Sequence, residues 1–202
     1  MRFTILFLLI GLYACGQQTE NKNHKIDPTA KKLNDSAVLI VMNTQDYEKA
    51  ILLLNQATQI DSNYLIAYTN KLSFQLHLNQ LDKALLSAYS LKRIKPDNPE
   101  YYVTIGMIYD LKSDTITSKR FFDEAATRYN AILDTMSATN KDYDMLLMNK
   151  AVNLVLIGQQ QEANDILKQL YDKHKDESYR EILASFMNKS KQDILNNLFQ
   201  TK

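Results

Sequence analysis

The sequence predicts an all-α fold, a solenoid of about four stacked helix pairs with capping helices at its C-terminal end. Three observations predict it. First, Tyr47-Glu48-Lys49-Ala50-Ile51 returns as Leu81-Asp82-Lys83-Ala84-Leu85, with 34 residues from Ala50 to Ala84. Second, both copies close alike, on Ile60-Asp61-Ser62-Asn63-Tyr64 and on Ile94-Lys95-Pro96-Asp97-Asn98. Third, only four Gly and three Pro occur among 202 residues, and few β-branched stretches alternate, which favours helices over strands. A period of this length marks helix hairpins, none of which buries its apolar face until its neighbours stack on it.

Hydrophobic residues make up 45% and charged residues 23%, ordinary for a folded domain of this length. The net charge is +1, and the Lys and Arg are dispersed. A nucleic-acid surface would need a basic stripe, so the pattern argues against that class of partner.

The N-terminus reads as an address. Arg2 precedes an apolar run from Phe3 to Tyr13, broken only by Thr4 and Gly11. As a helix that run would rise about 16 Å, half of a hydrocarbon core of about 30 Å, so it reads as the core of a signal peptide. It ends in Leu12-Tyr13-Ala14-Cys15, which resembles the lipobox of bacterial lipoproteins. The resemblance implies a signal peptide over 1–14 and lipidation of Cys15. It also implies the outer membrane rather than the inner, since Gly rather than Asp follows the cysteine, and the periplasm-facing side is the expected one. Two or more acyl chains suffice for stable anchoring. Residues 15–27 then comprise the lipidated cysteine and a polar tether with no periodicity, in which His24 is expected to be a free surface histidine.

Repeats are expected over 28–177. The first pairs Thr29–Asn43 with Asp46–Ile60, Pro28 standing where its missing N–H is harmless. Ala50, Leu54 and Ala57 fall on one face of its second helix. A second pair spans Leu65–Asn79 and Asp82–Ile94, stopped by Pro96 and Pro99. In the third, Tyr101-Tyr102, Ile105-Gly106 and Tyr109 open the unit, and a long second helix carries Phe122, Ala125, Tyr129, Leu133 and Met136 from about Ile116. Gly106 costs about 1 kcal/mol in an exposed helix, so close contact with another helix is its expected reason. Ser118 and Ala163 hold the small site of units three and four, 45 residues apart, and the 11 extra residues are assigned to the helix extension and a loop over Ser137–Asp142. Unit four pairs Tyr143–Ile157 with Gln160–His174 across Gly158. Two shorter helices, Tyr179–Asn188 and Lys191–Phe199, are read as a cap over 178–202.

The small-residue sites and the aromatic, aliphatic–glycine, aromatic spacing over Thr29–Glu177 are similar to the tetratricopeptide repeat (TPR) family. The resemblance implies a right-handed α-solenoid whose first helices line a concave, partner-binding groove. On this chain it nominates Ile66, Thr69, Ser73, Leu76 and His77 in unit two. In unit three it nominates Val103, Met107 and Asp110, and in unit four Met148 and Val152. Lys, Arg and Asn that clamp a terminal carboxylate in some relatives are missing from these places. What remains is apolar with several Met, suited to an extended segment or an amphipathic helix of a protein partner. The competing expectation is burial: Leu146–Ile157 and Val38–Met42 are apolar nearly all round, and the C-terminal helices are placed to fill the groove near unit four. The groove is therefore expected open at units two and three and filled at unit four.

No catalytic signature is present. His24, His77 and His174 lie far apart, Cys15 is the single cysteine, and the glycines are isolated, so neither a metal set nor a phosphate-cradling loop is expected. No cofactor is called for, and an enzyme is not the expected class. Twelve tyrosines leave glycan or small-ligand capture as the alternative function, although Tyr68, Tyr102 and Tyr109 stand at packing sites of the repeat. Asp35-Ser36-Ala37, Asp114-Thr115-Ile116 and Asp134-Thr135-Met136 resemble bacterial O-glycosylation sites and equally suit helix starts.

Overall fold

A computed structural model describes residues 24–199, so the signal-peptide and Cys15 readings lie outside the described residues. Among the described residues ten helices follow one another without a strand. They are α1 (Pro28–Thr44), α2 (Tyr47–Ile60), α3 (Leu65–His77), α4 (Leu81–Ile94), α5 (Pro99–Leu111), α6 (Thr115–Leu133), α7 (Tyr143–Leu156), α8 (Gln160–Lys173), α9 (Glu177–Phe186) and α10 (Lys191–Phe199). The helices whose bounds were expected from the sequence begin and end within about a turn of those places. The chain divides between Pro96 and Asp97 into two compact units, α1–α4 and α5–α10.

Local chemistry sets the helix starts. The Asp27 carboxylate accepts from the backbone N–H of Thr29 (2.7 Å) and Ala30 (3.1 Å), with Pro28 at the first helical position. Asp46, Asn98, Asp114 and Asp176 cap α2, α5, α6 and α9 in the same way. Asp114 thus does the work of a cap, and Asp35 pairs with Lys31 one turn away at 2.6 Å.

The helix ends repeat as faithfully as the sequence. Gln45, Asn79, Ser113 and Gly158 all have positive φ (55°, 54°, 64° and 87°) and follow the first helix of their pairs. In the second, third and fourth pairs the turn closes the same way. Gln80 N–H donates to Gln75 C=O, Asp114 to Tyr109 and Gln159 to Leu154, each at 2.8–2.9 Å, the Schellman arrangement that satisfies orphan carbonyls.

In the first unit, Ala30, Ala37, Ala50, Ala57 and Ala67 are fully buried around Leu54, Tyr64 and Phe74. Alanines at these sites let the backbones approach, and Leu54 fills the space between them. Asn70 donates to the buried Asn34 at 2.8 Å, tying α3 to α1 through a satisfied polar pair. His24 is not the free histidine expected: its Nε2 lies 2.9 and 3.0 Å from the two oxygens of Asp61, a side chain only 5% exposed. Asp61 also accepts from the backbone N–H of Asp27 and Asn63. Ile26 packs against the same core, so residues 24–27 are docked on the first unit.

In the second unit, α5 buries eight residues and α7 nine, so both are enclosed on nearly every side. Phe122 and Tyr129 of α6 are fully buried, and the Tyr129 hydroxyl donates to the Glu100 carboxylate. Asn153 donates to the Phe122 carbonyl at 3.0 Å, a buried bond between α7 and α6. The last two helices are fastened by polar ties. Gln160 donates to the Lys189 carbonyl, Asn164 and Asn188 bond reciprocally, and Ile194 and Leu195 are buried.

Candidate partner-binding face

The residues nominated as a groove separate into two groups. In the second unit Val103, Met107, Met148 and Val152 are only 3–6% exposed. They are core side chains, which corrects the expectation of an open face at α5: a helix apolar all round is stable only when it is covered. Asp110 is tied rather than open. It receives Lys191 at 2.5 Å and the Ser118 hydroxyl at 3.2 Å, and the Lys191 ammonium also lies 5.4 Å from the centre of the Phe122 ring. The N-terminus of α10 therefore sits against the end of α5.

In the first unit the nominated face is open in part. Ile66, Thr69 and Ser73 of α3 are half-buried, and Leu76 is buried. The Thr69 hydroxyl back-bonds to the Leu65 carbonyl at 3.1 Å. His77 is exposed at its edge while its ring stacks on Tyr47, centroids 3.9 Å apart and planes 24° from parallel. Tyr47 in turn meets Phe74 edge-on at 5.5 Å, so the imidazole is held by an aromatic ladder rooted in the core.

Two residues that the sequence reading missed are exposed on the first helix of the same unit. Leu39 and Met42 of α1 are 56% and 74% exposed, although Val38–Met42 was expected to be buried. They stand 34 residues before Ser73 and Leu76, hence at the same repeat places. The signal was therefore present: stepping the nominations back by one period finds them. Their helix buries Ala30, Asn34 and Ala37 on one side and leaves this pair outward on another.

Among the described residues no group of three His, Cys, Asp or Glu side chains could hold a metal ion. The best-formed polar cluster holds the second unit together: Asp144 receives Lys173 at 2.6 Å and faces His174 at 2.8 Å. Burial opposes the charge on Asp144, but the bonds from Lys173 and His174 outweigh it and hold the carboxyl below its usual range. Tyr179, edge-on to His174, is pushed up to about 12, first by burial and then by the charge of Asp144. As for stacking platforms, Tyr102 is buried and Tyr109 lies flat on Phe121, centroids 5.8 Å apart. Both are packing groups.

No protein-family model matches the chain, and no curated protein matches it. Among solved structures it is similar to the crystal structure of PilW, a widely conserved type IV pilus biogenesis factor, with a TM-score of 0.51 and 22% identity. The match covers 73% of this chain and 63% of PilW, so the chain spans less than two thirds of that protein. The likeness shows the fold, a TPR-like series of packed helix pairs. Among the described residues no helix is long and apolar enough to cross a membrane.

Proposed function

We propose that the chain is a lipid-anchored helical-repeat scaffold that holds a protein partner at the bacterial envelope, with Leu39 and Met42 as the centre of its docking face. One observation carries the reading: two large apolar side chains, Leu39 and Met42, stand exposed at places one 34-residue period before Ser73 and Leu76. Exposing them costs free energy that burial in a complex recovers, roughly 1.5–3 kcal/mol per large side chain. Met adapts its shape to its contact, and His77 adds a polar edge to an otherwise apolar surface. The occupant that fits is the apolar face of an amphipathic helix, read by side chains one turn apart. Similarity to a pilus biogenesis factor supports an assembly role at the envelope.

The anchor is the second half of the proposal: residues 1–14 as signal peptide, Cys15 as the lipidated residue, and a short linker leading to His24, which meets Asp61. Gly rather than Asp after the cysteine supports the outer membrane, and the scaffold is proposed to face the periplasm. The test is capture from detergent-solubilised envelopes with the parent chain and a Leu39→Asp/Met42→Asp variant, read by quantitative mass spectrometry. The reading expects one protein enriched by the parent and lost from the variant. Equal recovery by both removes this face from the account, and absence of palmitate label on the parent removes the anchor.

A further inference from the structure

The first unit carries a second opening, on the other side of α3 from the face just described. A cleft of about 590 Å³ lies between α2 and α4 with α3 as its floor. Tyr68, Lys71 and Gln75 of α3 line it, and at 100° per residue they fall on the side of the helix opposite Thr69 and Ser73. Its rims are Leu52 and Leu86, 62% and 69% exposed and 34 residues apart, so the repeat presents the same leucine twice.

Three features make this more than an apolar groove. The Lys71 ammonium is half-buried at the floor, 5.8 Å from the centre of the Tyr68 ring, and among the described residues no carboxylate pairs with it. Burial alone lowers its pKa, so the site pays to hold a cation there. The side-chain oxygen of Gln80, at the mouth of the α3–α4 turn, is buried without a hydrogen-bond partner. An orphaned buried acceptor and an unpaired half-buried cation in one cleft call for a donor and an anion together. Lys83, also in the cleft, adds a second positive charge against the single Glu48.

We infer that this cleft binds an extended, acidic peptide segment of a partner protein. A side-chain carboxylate would meet Lys71, apolar side chains would lie on Leu52 and Leu86, and a main-chain N–H would reach the Gln80 oxygen once that side chain turns into the cleft. Amide and hydroxyl groups along the walls favour a peptide backbone over an acyl chain, which offers nothing for them to bond. The site is separate from Leu39 and Met42 and stands or falls without them.

The test is fluorescence anisotropy of the full chain with an array of labelled extended peptides built from Leu and Ser around a central Asp, beside matched arrays with Asn or Lys at that place. Acidic peptides are expected to bind about tenfold more tightly than the Asn set, the scale of one charge-assisted hydrogen bond, and the Lys set more weakly still. Lys71→Met, with circular dichroism confirming the fold, erases the preference for Asp while leaving the Asn set unchanged. Leu86→Asp weakens every peptide, and Met42→Asp weakens none. No binding by any acidic peptide, a preference that survives Lys71→Met, or loss of binding in Met42→Asp overturns the assignment.

Discussion

Gly106 lies against the ring of Phe122: a methyl group built on Gly106 would stand 2.6 Å from Cε1 and 2.7 Å from Cδ1. The absence of a side chain on α5 is what allows α6 to approach. Phe122 is fully buried, so it has no open space to turn into. Gly106→Ala therefore pits a helix-propensity gain of about 1 kcal/mol against overpacking of about 1–3 kcal/mol. The account expects net destabilisation by urea titration, largely relieved when Phe122→Leu is added. A stabilised single variant would mean that the two helices slide apart easily.

The positive-φ turns make a second prediction, because strain and packing separate there. Nothing lies within 4 Å of a methyl built on Gly158, whose φ is +87°. Gly158→Ala is then a purely conformational change, expected to cost about 1 kcal/mol. Ser113 holds the same place at φ 64° with a side chain attached. Ser113→Gly should stabilise the chain by a few tenths of a kcal/mol to about 1 kcal/mol, read as a rise in the urea midpoint. Opposite signs at these equivalent sites are the expected outcome.

Asp144 supplies the pH dependence. Its carboxyl is held below the usual carboxylate range in the folded chain, so its contribution is complete above the unfolded value near 3.9 and fades as pH falls through the folded one. Asp144→Asn should cost about 1–3 kcal/mol at neutral pH through lost bonds to Lys173 and His174. The gap between variant and parent melting temperatures should narrow below about pH 4. A gap independent of pH would assign the loss to shape rather than charge.

What the sequence disclosed follows from what repeats. The 34-residue step between Ala50 and Ala84 carries the helix pairs, because a small residue where two backbones cross is a requirement readable from one chain. Gly106 was legible for the same reason. The turns were not: of Gln45, Asn79, Ser113 and Gly158, only the last is a residue that announces positive φ. Burial on the first helices was misread in both directions. Leu39 and Met42 look like core by composition and stand exposed, while Val103 and Met107 look like a face and lie inside. Periodicity tells which side of a helix points inward within its own pair. Whether a later element such as α10 returns, as Lys191 does to Asp110, is a contact 81 residues long that no local pattern encodes.

The docking face is the central claim, and site-specific photo-crosslinking in living cells tests it most directly. A benzophenone side chain placed at Leu39 or Met42 should give one and the same adduct with an envelope protein. The same group at Asn130, an exposed place on α6, should give none. Identical adduct patterns at all three positions, or no adduct at Leu39 and Met42, would contradict it.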